Sequence, residues 1–343
     1  MGYTKEVLED VLQQLHPGDE VIGTARERRN EVLDTMAAFP GHLRGYASGS
    51  IAHRTANFDT DADCGAVLDR RSYPDLGPDG RGEGPKEIVE EARAFLRERL
   101  KPDHPDIKFR VTKRAIQVTY HEPLPDGKDP QVDLIVALTR KEAQGLWIPN
   151  TLADRWDPSH PECHTSLLTA DPKTLRQKRA RVIRLAKGEN GEHDEKGLCS
   201  FNLEALALLY VEDGTGLAVA LAEFFENGAA DLERRLTPDP AEVSPPIKTL
   251  LPREAAAKRL RRAGELVREA LDNDEHECLV RAALSQVFPS YVEDCESSEE
   301  EIKEVLKGGG GGFTTAGVVA SAGSTQQRQR STRAYGDGTD DSG

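Results

Sequence analysis

The stretch Gly49 to Asp69, GSIAHRTANFDTDADCGAVLD, concentrates residue types that can do chemistry. It opens on Gly49-Ser50 and closes with Asp61-Ala62-Asp63 running into the apolar segment Cys64-Gly65-Ala66-Val67-Leu68. On a β-strand, residues two apart share a face, so Asp61 and Asp63 would present two carboxylates side by side. Like charges that close repel and call for compensation, commonly by a divalent cation. Magnesium suits oxygen donors of this kind, because it takes one or two carboxylates together with substrate phosphates. Gly49-Ser50 can offer backbone N–H groups and a hydroxyl to a phosphate at a helix start. A phosphate grip and a metal grip about a dozen residues apart outline a phosphoryl-transfer site. Taken singly, each piece has a plainer reading, since Asp-X-Asp occurs on solvated loops and Gly-Ser in turns.

Two further stretches bear on this site. Gln131 to Leu138 alternates as a strand, with Val132, Leu134 and Val136 on one face and Asp133 beside Ile135 on the other. A charged residue in such an apolar setting is seldom there for packing; it is paired, metal-bound or on a solvated face. Lys173 to Lys187 reads as a helix carrying seven Lys and Arg and no acid. It is either a solvated face or a phosphate-binding element.

The order of these pieces resembles the polymerase-β-like nucleotidyltransferases, whose signature is G-S, about ten residues, then D-X-D on a strand. Within that superfamily the sequence is most similar to the oligoadenylate synthetases and the bacterial CD-NTases, relatives of cyclic GMP-AMP synthase. Thr55 and Ala66-Val67-Leu68 fit the first motif, and Val132-Asp133-Leu134-Ile135-Val136 fits the strand of the third carboxylate. Ile183-Arg184-Leu185-Ala186-Lys187 resembles the R-L-x-K helix, and Ser200-Phe201-Asn202-Leu203-Glu204 the S-F-x-L-E helix start. Ile148-Pro149-Asn150, Trp156 and Pro161-Glu162-Cys163-His164 resemble the segment that crosses between lobes, with Asn150 in place of Asp. Where relatives continue K-x-W-N, this chain has Gly188-Glu189-Asn190 after Lys187, so the aromatic is missing.

The resemblance implies an α/β (α+β) fold: a nucleotidyltransferase lobe with a mixed sheet, and an all-helical second lobe. We set the lobes at 1–165 (including the N-terminal helices) and 166–305, with a disordered Gly-rich tail at 306–343. It implies catalytic and metal-binding roles for Asp61, Asp63 and Asp133, two Mg²⁺ ions with Mn²⁺ as substitute, and triphosphate binding by Gly49, Ser50, Lys187 and Ser200. The implied activity condenses NTPs into a cyclic di- or trinucleotide messenger with pyrophosphate release, in bacterial anti-phage signalling. Linear oligoadenylate synthesis, tRNA or small-molecule nucleotidyl transfer, a non-catalytic nucleotide sensor and an interaction protein using the tail are the competing readings. Some relatives are joined through their C-terminal residue by a ubiquitin-transfer-like partner, and Gly343 would serve that role here.

The remaining elements must position this site. Thr4–Leu15 and Asp19–Phe39 have helical spacing, split by Pro17-Gly18 and closed by Pro40-Gly41. Ser72–Pro85, with four glycines and three prolines, is a loop, either a lid or a surface excursion. Lys86–Leu100 is a helix, and the alternations at Ile107–Val111 and Ile116–Tyr120 are strands. Leu146–Asp171 reads as irregular, and His160, Cys163 and His164 within it lack a fourth ligand for zinc. Leu203–Val211 is almost wholly apolar and reads as the buried helix of the second lobe; three further helices follow it. A net charge of −15 argues against a general binder of long nucleic acid. No run reaches the roughly 18 apolar residues of a membrane span, and Met1–Glu6 carries no apolar signal segment. Five scattered cysteines fit reduced thiols in a cytoplasmic protein.

Overall fold

The computed structural model describes residues 2–57 and 61–295. The pentaglycine run Gly308–Gly312, the tail and Gly343 lie outside the described residues, as does most of the acidic stretch before them.

The chain runs α1 (Tyr3–Gln14), α2 (Asp19–Met36), β1 (His42–Ser48), α3 (Gly49–His53), β2 (Ala62–Leu68), α4 (Lys86–Leu100), β3 (Lys108–Val111), β4 (Ile116–Thr119) and β5 (Val132–Thr139). It continues with β6 (Leu146–Asn150), β7 (Arg155–Ser159), α5 (Pro161–Thr169), α6 (Lys173–Glu192), α7 (Ser200–Tyr210), α8 (Leu217–Arg234), α9 (Arg253–Asp272) and α10 (Glu277–Val287). The sheet is mixed, in the order β1-β2-β5-β4-β3, with β6 on β5 and β7 on β6. Among the strand pairs of the described residues, β2 and β5 run parallel and the others antiparallel. Parallel neighbours need a crossover, and α4 with the β3–β4 hairpin supplies it.

The two faces of the sheet differ as the period-2 pattern requires. Cys64, Ala66, Leu68, Leu134 and Val136 pack against α2 and α4, whose Ala25, Val32, Met36, Ile88, Ala92 and Leu96 fall at helical spacing. The other face carries Asp63 and Asp133, then a smaller apolar group built from Val67, Ile135 and Ala137 with Tyr46, Leu146 and Ile148. Arg28, buried on α2, fixes the approach to β5. It donates to Asp129 and to the carbonyls of Pro130 and Glu122, each at 2.6 Å.

Four expectations are corrected. The N-terminal helices do not share a lobe: Val7, Leu8, Val11, Leu12 and Leu15 of α1 pack into the helical core with Val182, Leu185, Leu203 and Phe224. The segment 146–171 is ordered as the β6–β7 hairpin and α5. Pro149 and Pro158 mask the strand pattern, and they are tolerated because these strands extend the sheet's margin. Cys278 and Cys295 are joined in a disulfide, contrary to the all-reduced reading; the chain turns back after α10 and brings their Cα atoms to 5.2 Å. Cys64, Cys163 and Cys199 are free. Finally, α6 runs on through Gly188-Glu189-Asn190 to Glu192.

The 72–85 loop lies against the face opposite the carboxylates. Leu76 joins that core with Trp156, and Asp79 accepts from Trp147 Nε1 at 2.8 Å. The loop is therefore a surface excursion braced on the β6–β7 hairpin, not a lid. Among the described residues, no helix is long and apolar enough to cross a membrane.

Candidate functional site

Strand register brings the acidic residues together. Asp63 and Asp133 are direct partners on the parallel pair β2 and β5, and Ser48 partners Asp63 from β1. Asp133 is 3 % exposed and Asp63 is half-buried. Asp61 sits just outside β2, at its mouth, so the strand begins one residue later than the two-carboxylate pattern suggested. Burial, with Asp133, Asp61 and Glu204 nearby, raises the Asp63 carboxyl well above the usual carboxylate range. Lys187 opposes that shift only in part.

Gly49 explains why a glycine precedes the site serine. Its φ is +70°, and a Cβ there would lie 1.8 Å from Asp63 Oδ2. Only a residue without a side chain lets α3 start against that carboxylate. Ser50, next in α3, accepts from the Thr55 N–H through its carbonyl at 2.8 Å. We expect Gly49→Ala to cost on the order of 1–3 kcal/mol, since it combines a disfavoured φ with a displaced Asp63. Urea denaturation beside wild type checks this, and an unchanged midpoint would show that the backbone can move away.

The second half of the site is a polar hub between the lobes. Buried Glu204 of α7 accepts from Lys187 Nζ at 2.8 Å and Thr55 Oγ1 at 2.8 Å, and faces His53 Nδ1 at 3.1 Å. Lys187 Nζ also reaches Thr55 Oγ1 at 3.1 Å, and His53 Nε2 meets Thr165 Oγ1 at 2.9 Å. Burial would raise the Glu204 carboxyl, but Lys187 and His53 outweigh it and hold the group well below the usual carboxylate range. Asn57 adds a bond to the Arg184 carbonyl at 3.1 Å. Thus α3 and its Thr55, α5, α6 and α7 meet at one cluster.

The sequence reading named Lys187 but missed His53 and Glu204. The available signal was a charged residue set among Leu203, Ala205 and Leu206, the same signal that marked Asp133. Ser200 is the exposed first residue of α7, one turn before Glu204. The other cations of α6 turn away from the carboxylates: Arg181 pairs with Glu9, Arg184 donates to the Leu12 carbonyl and Arg179 pairs with Asp171. The acid-free face of α6 is largely the seam with α1 and the turn before α6, and only Lys187 meets the hub. Asn190 accepts from the N–H groups of Gly197 and Leu198 at 2.9 and 3.2 Å, fixing the lead into α7. Glu189, where relatives have an aromatic, faces His193 at 2.9 Å.

His160 caps α5 by accepting from Cys163 N–H at 3.3 Å, and His164 Nε2 meets Asp239 at 2.7 Å, which gives both a structural role. Among the described residues, no group of three or more His, Cys, Asp or Glu side chains is gathered to hold a metal. The paired Asp63 and Asp133 nonetheless fit a magnesium ion. They are adjacent hard donors with mutual repulsion, and such ions complete their shell with waters and substrate phosphates.

No known family profile matches the sequence, and no curated protein matches it. Solved structures do. Escherichia coli MS115-1 CdnC, solved with ATP, superposes with a TM-score of 0.62 at 17 % identity, over 84 % of this chain and 98 % of that one. The Bradyrhizobium diazoefficiens CD-NTase CdnG, solved with GTP, gives 0.62 at 17 % identity, over 83 % and 94 %. Vibrio cholerae DncV, a cyclic AMP-GMP synthase solved with a linear intermediate, gives 0.55 at 14 % identity, over 85 % and 87 %. The chain has the polymerase-β-like fold of the bacterial CD-NTases, over nearly the whole of the described residues.

Proposed function

We propose that this chain is a metal-dependent nucleotidyltransferase that joins NTPs into a short cyclic oligonucleotide and releases pyrophosphate. The observation that carries the reading is the register of Asp63 with Asp133 beside the Gly49 turn, on a CD-NTase fold. Asp61 and Asp63 would hold Mg²⁺, with Asp133 completing the set; the relatives' pattern argues for two ions, with Mn²⁺ as substitute. When bound, the metal stabilises charge on the attacking and leaving oxygens. Asp133 orients the acceptor ribose hydroxyl and takes its proton. The hydroxyl oxygen bonds to the donor α-phosphorus as the bond from that phosphorus to the bridging oxygen breaks, and pyrophosphate leaves. Gly49, Ser50, Lys187 and Ser200 grip the triphosphate. Lys187 directs its three ammonium donors at Glu204 Oε1, Thr55 Oγ1 and the Thr55 carbonyl, so it grips phosphate by exchanging its longest contact, the 3.4 Å one to that carbonyl.

A cytoplasmic setting, a role in anti-phage signalling and a partner acting on the tail belong to the same proposal, supported by the likeness to CdnC, CdnG and DncV and by the notable Gly-rich tail. The test is incubation with NTPs and Mg²⁺, phosphatase treatment and mass spectrometry. A cyclic product has no terminal phosphate and should survive. Phosphatase-sensitive products would make the enzyme a linear synthetase, and products formed only with added tRNA or an aminoglycoside would make it a transferase to that acceptor.

A further inference from the structure

The row of side chains that contains the carboxylates continues past them across the sheet. Ser48, Asp63, Asp133, Gln117 and Arg110 are successive direct partners on β1, β2, β5, β4 and β3. Directly paired residues share a face, and Arg110 Nη2 donates to Gln117 Oε1 at 2.8 Å, which confirms it for the last pair. Lys108, two residues before Arg110 on β3, is also on this face and partners Thr119. With strands about 4.8 Å apart, Arg110 lies about 10 Å from Asp133.

At that end of the row a groove of about 430 Å³ runs over the β3 edge, lined by Arg93, Arg97, Lys101, Lys108, Arg110 and Gln117. A second hollow of about 570 Å³ adjoins it along α4 and shares Arg93, Arg97 and Lys101; Glu98 is its one acid. Arg93 pairs with Glu90 at 2.6 Å. Arg97, Lys101 and Lys108 are exposed and have no ion-pair partner among the described residues. Five cations thus converge on one groove in a chain with 60 acidic and 45 basic residues. The sheet face is negative at the carboxylates and positive two strands away.

We propose that the β3-edge groove is a polyphosphate-binding subsite that holds the 5′-triphosphate of the acceptor nucleotide. This rests on the nucleotidyltransferase reading above. A hydroxyl held at Asp133 and a phosphate chain held from Arg110 towards Lys108 on the same face are separated by about the length of one nucleotide, and Lys101 reaches the groove at the sheet edge from the end of α4. The charge order along the row fits that direction, and a groove of about 430 Å³ has room for a phosphate chain.

The test uses Lys101→Glu/Lys108→Glu, two exposed residues outside the catalytic set, after thermal melting confirms a wild-type fold. A 2′,3′-dideoxynucleoside triphosphate serves as donor, because it has no acceptor hydroxyl. Adenosine, AMP and ATP are compared as acceptors. Wild type should prefer ATP to adenosine at least tenfold in acceptor KM, the variant less than threefold, and donor KM should be equal in both. An unchanged preference in the variant overturns the proposal. A wild-type enzyme that transfers nothing counts against the nucleotidyltransferase reading instead. The groove is then judged by equilibrium binding of inorganic tripolyphosphate without metal, where Kd should rise at least tenfold in the variant. Equal tripolyphosphate binding overturns the subsite. So does a single-stranded RNA that binds the same residues far more tightly than tripolyphosphate, which would make the groove a nucleic-acid site.

Discussion

Asp63→Asn and Asp133→Asn should each lower nucleotide transfer by about 10³-fold or more, because each removes roughly 4 kcal/mol or more of charge stabilisation at the reacting phosphate. The same substitutions should leave the fold intact. Asp63 binds its proton more tightly in the folded chain than in the unfolded one, through burial and the neighbouring carboxylates. The folded state therefore holds more protons as pH rises above the ordinary carboxylate range, and stability falls through that window up to the raised value. Asp63→Asn should flatten this part of the profile, and the metal-free variant should melt at or above wild type near neutral pH. Thermal melts across pH, run beside pyrophosphate release, check both halves. A variant that turns over like wild type would remove that residue from the mechanism.

Glu204→Ala should have the largest effect on stability, about 3–5 kcal/mol, since it leaves Lys187 buried with its charged partner gone. It also removes an acceptor from Thr55 and a partner from His53, so the lobes lose their shared cluster. Glu204 binds its proton less tightly folded than unfolded, which gives the opposite sign from Asp63. Its contribution is complete above the ordinary carboxylate range and is lost as pH falls below that range. The wild type should therefore lose stability in acid through this group, and Glu204→Ala should show less of that loss. Chemical denaturation at neutral and acid pH measures it. A variant as stable as wild type at neutral pH would mean that the cluster does not hold the lobes together.

Much of this site was legible in the sequence, and the reasons are local. The Gly49-Ser50 turn, the Asp61–Leu68 segment and the alternating Val132–Leu138 strand are set by neighbours in the chain, so spacing reveals them. The pairing of Asp63 with Asp133 came from the resemblance rather than from spacing, because parallel register across 70 residues has no local signature. Pro149 and Pro158 hid a hairpin by breaking the strand pattern where the sheet tolerates it. The lobe of α1 was hidden for another reason: its apolar stripe declares a buried face but not which core receives it. The cations of α6 stayed open between a solvated face and a phosphate surface because composition counts charges without directions; Glu9, Leu12 and Asp171, which take Arg181, Arg184 and Arg179, are far from them in sequence or on other elements. The disulfide was missed because a 17-residue separation in a chain with five cysteines does not predict a fold-back.

The central claim is that the paired carboxylates build a metal–nucleotide site, and nucleotide binding with and without Mg²⁺ tests it without any need for turnover. Titration of a non-hydrolysable NTP into wild type should give a Kd at least tenfold lower with Mg²⁺ than with chelator, and Asp63→Asn with Asp133→Asn should erase that difference. Equal affinity with and without Mg²⁺ in wild type, or a difference that survives in the double variant, would contradict the account.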